Sequence, residues 1–333
     1  MIVVFAGGIS SSHAADALLI NGAGATFPYP IYSKWFDEFA KKHPGLHFNY
    51  QSVGSGAGIR QVSEMTVDFG ATDGPMTNDQ LKAGKQKLLH FPTVLGAVVP
   101  TYNVPEIQGE LNFTGEALAK IFLGKITRWN DPEIARANPN VRFPDKEIIV
   151  IHRSDGSGTT YIWTDFLSKV SPDWTQKVGT GTSVNWPVGL GGKGNEGVSG
   201  LIKQTPYALG YVELIYAIQN HQEYGRVQNR EGHFVKATLG TVSEAAAGAV
   251  KTMPEDFRVS ITNPPGMGVY PVASFTWLLI PEEIKDHQKG KAIVEFLRWM
   301  ITDGQGFTES LAYARLPREV VQKEEMAISK IRY

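Results

Sequence analysis

The stretch EIIVIHRSDGSGTTYIWTDFLSKV, residues 147–170, sets the reading of the whole chain. An apolar, β-branched run, Ile148 to Ile151, leads into a loop holding an arginine, an aspartate, two glycines and three hydroxyl residues within seven positions. Beyond the loop, Trp163, Phe166, Leu167 and Val170 recur at i, i+3, i+4 and i+7, the period of a helix with one buried face. Strand, polar loop, helix is the unit of α/β architecture, and its loop lies where such folds hold ligands.

The same unit recurs along the chain. INGAGATFPYPIYSKWFDEFAKKHPG (20–45) predicts a glycine turn and a helix carrying Ile31, Trp35, Phe36 and Phe39, ended by Pro44-Gly45. LHFNYQSV (46–53) predicts a strand feeding GSGAGIRQVSEM (54–65), a glycine loop that opens another helix. VDFGATD (67–73) is strand-like and ends in a turn at Gly74-Pro75. Residues 114–138 predict a helix with a following turn, residues 179–200 a long ordered glycine-rich loop, and residues 201–220 a helix, a turn and then a strand or helix. An amphipathic helix, KGKAIVEFLRWMITDG (289–304), and a further helical segment close the chain. Two β-rich apolar runs, near 91–99 and 269–280, are placed to carry the chain out to a second lobe and back. The expected architecture is therefore α/β with parallel or mixed sheets in two lobes.

Composition narrows the function. The 333 residues include Lys+Arg 32 against Asp+Glu 33, a net charge of -1, which is not the basic field of a nucleic-acid binder. No nucleic-acid partner is expected. The absence of cysteine excludes disulfides, thiolate chemistry, cysteine-ligated metal and a cysteine-linked lipid anchor. The N-terminus reads as a leader: an apolar run from Ile2 to Ile9, too short to span a bilayer, precedes Ser12-His13-Ala14, a small-x-small site before Ala15. An exported protein with a signal peptide over residues 1–14 is expected, although no Lys or Arg precedes the apolar run.

With no bulk positive charge, an anion must be caught by local geometry. Three segments place Gly and Ser or Thr just before a helix: Gly24-Ala25-Thr26-Phe27, Gly54-Ser55-Gly56 and Gly156-Ser157-Gly158-Thr159. Helix N-termini offer free N–H donors and partial positive charge, glycine admits an anion closely, and a hydroxyl adds a donor. Each loop alone is equally an ordinary helix cap. Arg153, beside the third loop, brings a fork of donors suited to a tetrahedral oxyanion, with Asp155 placed to brace it; a surface ion pair is the competing reading. Arg60 reads as a solvated helix face. Asp73 is the odd member, since a carboxylate repels an anion unless that anion has a proton to give. Phosphate keeps a proton at neutral pH and sulfate does not, so an Asp in the site selects phosphate. Capping of its own Gly-Pro turn is the other reading of Asp73.

Enzyme motifs fit poorly. Asp155 stands where a G-x-S-x-G elbow needs glycine, and strand alternation points His152 away from Arg153 and so away from Ser157. His43 and His47 straddle Pro44-Gly45, and no H-E-x-x-H or EF-hand pattern occurs, so no metal or other cofactor is expected. In GLGGKGNEG (189–197), Gly194 follows Lys193 where a phosphate-binding P-loop requires Ser or Thr, which makes the segment a structural loop.

GAGATFP, GSGAG, VDFGATDGP, HFPTVLGAVV, HRSDGSGTT, VGTGTSVNWPVGLGGKGNEGV and ALGYVE occur in the order found in the phosphate-binding protein family of bacterial phosphate ABC transporters. The resemblance runs from about Asn21 nearly to Tyr333. It implies a two-lobe periplasmic-binding-protein-like fold of type II, each lobe a mixed sheet flanked by helices, with the ligand in the inter-lobe cleft. The implied lobes are 21–95 plus 272–333 and 96–271. By position, the implied phosphate-binding residues are Thr26, Phe27 (through its backbone N–H), Ser55, Asp73, Arg153, Asp155, Ser157, Gly158 and Thr159. His152 stands where a second arginine is common, and GSGAG lacks a second serine frequent in relatives. The implied role is periplasmic capture of inorganic phosphate by a soluble monomer and delivery to transmembrane permease subunits, without catalysis. A phosphoester hydrolase using Ser157 and a phosphate-binding surface or adhesion protein are the alternatives.

Overall fold

The computed structural model describes residues 17–333; the expected leader and its cleavage site before Ala15 lie outside the described residues. The chain opens with β1 (Leu18–Gly24), α1 (Tyr29–Lys42), β2 (Leu46–Ser52), α2 (Ser55–Ser63), β3 (Phe69–Thr72) and α3 (Asn78–Ala83). The long strand β4 (Leu88–Asn103) leads to β5 (Asn112–Phe113), α4 (Gly115–Phe122) and α5 (Pro132–Ala137). Next come β6 (Ile149–Arg153), α6 (Gly158–Val170), α7 (Pro172–Lys177), β7 (Leu190–Gly192) and α8 (Gly194–Gln204). They are followed by β8 (Ala208–Glu213), α9 (Leu214–Gln219) and the short strands β9 (Glu223–Tyr224), β10 (Arg226–Gln228) and β11 (Phe234–Val235). Helix α10 (Leu239–Val250), β12 (Ala273–Pro281), α11 (His287–Met300) and α12 (Arg318–Ile328) complete the order.

The helices form where apolar residues share a face. In α1, Ile31, Tyr32, Trp35, Phe36 and Phe39 are buried, and Lys41 and Lys42 sit in the last turn, where the helix dipole favours cations. Gly45, at φ 86°, then takes the left-handed turn that sends the chain into β2.

Among the described residues, the main sheet runs β2-β1-β3-β12-β4-β8-β6-β7, with β9 also on β4. Strand β1 is parallel to β2 and β3, and β6 is parallel to β7 and β8. Between these parallel groups lie antiparallel pairs: β12 with β3 and β4, and β4 with β8. The 16-residue β4 serves both ends, pairing with β12 through Leu88–Ala97 and with β8 through Val98–Asn103. Its residues from His90 to Tyr102 are all buried, so the run is apolar on both faces apart from His90, Thr93 and Thr101, rather than alternating.

Three expectations need correction. Residues 179–200 are not one loop, since β7 and the start of α8 occupy its second half. The turn after the helix at 115 includes a second helix, α5, started by Asp131, whose carboxylate accepts from the Glu133 N–H at 2.8 Å. Residues 208–219 hold both a strand and a helix.

Candidate functional site

The carboxyl ends of β1, β2, β3, β6 and β7 bring their following loops together at one place in the sheet. Thr26 and Phe27 lie between β1 and α1, Ser55 opens α2, Asp73 follows β3, and Arg153 ends β6. Ser157 is the N-cap of α6, with Gly158 and Thr159 as its first two residues. All of these are buried, Arg153 being only 3% and Asp73 only 1% exposed.

The two ends of the sheet touch here. The Gly56 N–H donates to the Gly156 carbonyl at 2.9 Å. Gly158 packs so closely on Ser55 and Asp73 that a Cβ would overlap the Ser55 Oγ and the Asp73 Oδ2. Gly54, at φ 92°, has its missing side chain directed at the Asp155 carboxylate, so both its backbone angle and its surroundings require glycine.

Arg153 is held as a directed fork. Its Nε and Nη2 donate to the Asp155 Oδ1 and Oδ2 at 2.7 and 2.6 Å, and its Nη1 donates to the Thr159 Oγ1 at 3.3 Å. A guanidinium has five N–H groups, so two are left to point elsewhere. Burial alone would raise the Asp155 pKa, but the hydrogen bonds and charge of Arg153, with the Gly194 N–H at 3.0 Å, outweigh it and hold the carboxyl below its usual range. Arg153 is thus a buried internal pair, not a surface one, and Asp155 spends both oxygens on it.

Asp73 does not cap its turn. That task falls to Thr72, whose Oγ1 accepts from the Gly74 N–H at 3.2 Å and donates to the Gly74 carbonyl at 2.5 Å. Asp73 Oδ1 accepts from the Thr276 hydroxyl at 2.7 Å, and Oδ2 lies 3.5 Å from the Ser55 Oγ. Burial pushes its pKa up to about 7, against the opposing pull of the Thr276 hydrogen bond and the Arg153 charge. A carboxyl poised there can accept a proton or carry one.

Helix starts supply the remaining polarity. Neither α1 nor α2 has a side-chain cap at its N-terminus, whereas the Ser157 Oγ caps α6 by accepting from the Thr160 N–H at 3.0 Å. That bond leaves the Ser157 hydroxyl hydrogen free to be donated, and the N–H groups of Gly158 and Thr159 belong to the first turn, which has no partners within the helix. His152 is no base for this serine: its ring stacks on Trp186 with centroids 4.7 Å apart, and its Nδ1 lies 3.0 Å from the Arg153 carbonyl.

Sequence reasoning missed several members. GLGGKGNEG is not a detached structural loop: Gly194 binds Asp155, and Asn195 reaches Thr26 and Thr159. Thr276 comes from β12, Tyr216 donates to the Thr26 carbonyl at 2.6 Å, and Tyr313 donates to the Phe27 carbonyl at 2.6 Å. The buried Glu213 accepts from the Ile215 N–H at 2.8 Å, and burial pushes its carboxyl pKa well above the usual carboxylate range. The glycine run beside an amide was the available signal for Asn195; the tyrosines and Thr276 carry none. Among the described residues no helix is long and apolar enough to cross a membrane.

Comparison with known proteins places this arrangement. A model of the PBP superfamily domain matches residues 10–304. The phosphate-binding protein PstS of Pasteurella multocida is 46% identical over 309 residues, covering 92% of this chain and 89% of its own length. The phosphate-binding protein PstS of Methanocaldococcus jannaschii is 38% identical, covering 97% of this chain and 89% of its own. Among solved structures, the fold is similar to that of a high affinity periplasmic phosphate-binding protein (PfluDING) bound with phosphate: TM-score 0.73, 19% identity, 93% of each chain covered. It is also similar to that of a putative phosphate ABC transporter substrate-binding protein from Clostridium perfringens: TM-score 0.66, 17% identity, with 90% of this chain and 100% of that one covered. The chain belongs to the PBP superfamily and, within it, to the family of PstS phosphate-binding proteins.

Proposed function

We propose that the protein binds inorganic phosphate and delivers it to the permease of an ABC-type importer. The observation that carries this reading is the meeting of one directed arginine fork, several hydroxyl and helix-start donors, and one carboxyl in a single buried spot. Donors suit the oxygens of a tetrahedral anion, and Asp73 suits the proton that phosphate retains and sulfate lacks. Thr26, Phe27, Ser55, Arg153, Ser157, Gly158 and Thr159 act as donors, Asp73 as acceptor, and Asp155 as the brace that aims Arg153. The relatives named above as phosphate-binding proteins support the same ligand.

The two lobes are 21–95 plus 272–333 and 96–271, a division that fits the change of β4 partner after Ala97. Phosphate favours the closed form by its greater affinity for it, and the closed form docks on the permease. No covalent step is involved, since Ser157 caps a helix and His152 is turned away. The protein works outside the cytoplasmic membrane as an exported monomer. Isothermal titration with phosphate and then sulfate tests this: one phosphate bound per chain and no sulfate heat is expected, while equal binding of both anions, or none of phosphate, overturns it.

A further inference from the structure

The hydroxyls of Thr26 and Thr159 come from opposite ends of the sheet, and one side chain touches both. The Asn195 Nδ2 donates to the Thr26 Oγ1 at 2.8 Å and to the Thr159 Oγ1 at 3.1 Å. Which amide atom is which follows from the chemistry. The other end of the amide faces the Glu213 N–H at 3.0 Å, a group that can only donate, so that end is the oxygen and the NH2 faces the threonines. All four of these groups are buried.

A hydroxyl has two acceptor positions and one hydrogen. Thr26 Oγ1 has both positions filled, by the Asn195 Nδ2 and by the Asn195 backbone N–H at 3.3 Å. Thr159 Oγ1 is filled by the Asn195 Nδ2 and by the Arg153 Nη1 at 3.3 Å. Neither oxygen can accept again, so each O–H is left only to donate.

We propose that Asn195 is a positioning residue that turns the Thr26 and Thr159 hydroxyls into one-way donors toward the bound anion. The inference rests on the phosphate reading and extends it. A site whose hydroxyls could rotate would offer lone pairs as readily as hydrogens and so discriminate poorly. With Asn195 fixing both, the anion meets hydrogens from these two groups, and the acceptor function is left to Asp73. The same amide ties the β1–α1 turn to the start of α6, so hydroxyl orientation and the meeting of the two ends depend on one residue.

A double-mutant cycle read by phosphate titration tests this. Asn195→Ala is expected to weaken phosphate binding on the order of 10- to 100-fold, and by only about 3- to 10-fold where Thr159→Val is already present, because the hydroxyl it orients is gone. Asn195→Asp keeps the shape and an oxygen for the Glu213 N–H but reverses the polarity, so that the hydroxyls turn to donate to the carboxylate. It is expected to bind phosphate more weakly than Asn195→Ala while its own thermal unfolding stays cooperative, and it carries the test if Asn195→Ala fails to fold. An equal loss in the wild-type and Thr159→Val backgrounds, or wild-type affinity in Asn195→Asp, overturns the role of Asn195 alone. A wild-type protein that binds no phosphate overturns the phosphate reading and this inference with it.

Discussion

Both carboxylate oxygens of Asp155 lie against one edge of the Arg153 guanidinium, at 2.7 and 2.6 Å, so the donor fork of the site is aimed by a residue two positions away. The pair is internally neutral, and what it offers an anion is direction rather than net charge. Arg153→Ala should weaken phosphate binding at least about 100-fold, since hydrogen bonds to charged groups contribute about 1.5–3 kcal/mol each. It should also lower stability, because Asp155 loses its buried counter-charge. Asp155→Asn keeps the arginine but frees its edge, and about a 10-fold loss of affinity is expected. Titration calorimetry with thermal unfolding separates the two effects, and an Arg153→Ala protein of unchanged affinity would remove that residue from the site.

Asp73→Asn replaces an acceptor with a group that can donate. Sulfate binding should then become measurable while phosphate weakens, narrowing the gap between the two anions. Competition titration reads the ratio directly. If the variant still ignores sulfate, proton acceptance by Asp73 is not the source of selectivity.

The pH dependence of ligand-free stability has a definite sign. The folded-state pKa of Asp73 is raised to about 7, from about 3.9 in an unfolded chain, so the native state holds this proton more tightly. Its contribution is fully present below about pH 4 and is lost as pH rises through about 7. The melting temperature of the phosphate-free wild type should therefore fall between pH 5 and 8 by more than that of Asp73→Asn. Parallel curves for the two proteins would show that Asp73 titrates as an ordinary carboxyl.

Gly158→Ala adds one methyl group where Ser55 and Asp73 press closest. The two ends of the sheet should no longer meet, at a cost to affinity on the order of 100-fold. Small-angle scattering should show phosphate contracting the wild type and leaving this variant unchanged. Contraction of the variant to the same radius would mean that the contact relaxes easily.

Ser157→Ala removes a helix cap, with about 1 kcal/mol of stability, along with one donor to the anion. Neither wild type nor variant should hydrolyse a phosphomonoester. Turnover that disappears with the hydroxyl would restore the nucleophile reading.

What could be read from the sequence was what sits close together along it. Arg153, Asp155, Ser157 and Thr159 lie within one strand–loop–helix unit, so strand period, glycine spacing and helix capping brought them into one loop, and the family resemblance marked them as ligand groups. The α1 and α2 loops followed by the same local rules. Asn195, Thr276, Tyr216 and Tyr313 stayed hidden because each acts across the fold, on partners 36 to 286 positions away. The glycine-rich stretch before Asn195 misled for a physical reason. Gly191 and Gly192 join the edge of the sheet beside His152 and Arg153, where close packing on Ser154 and α8 leaves little room for side chains. Composition alone registers such glycines as loop.

Strand β4 is a single continuous beam clamped by β12 along one part and by β8 along the other. Near the change of partner sits Gly96, where a Cβ would strike the Phe27 ring and the Glu213 carboxyl. Both sets of loops hang from this one strand, so a change in its twist would move them out of the contact in which Gly56 meets Gly156. Affinity is therefore a mechanical property as well as a chemical one. Residues that alter the stiffness or twist of β4 can tune how tightly the ion is held without touching a single group that contacts it.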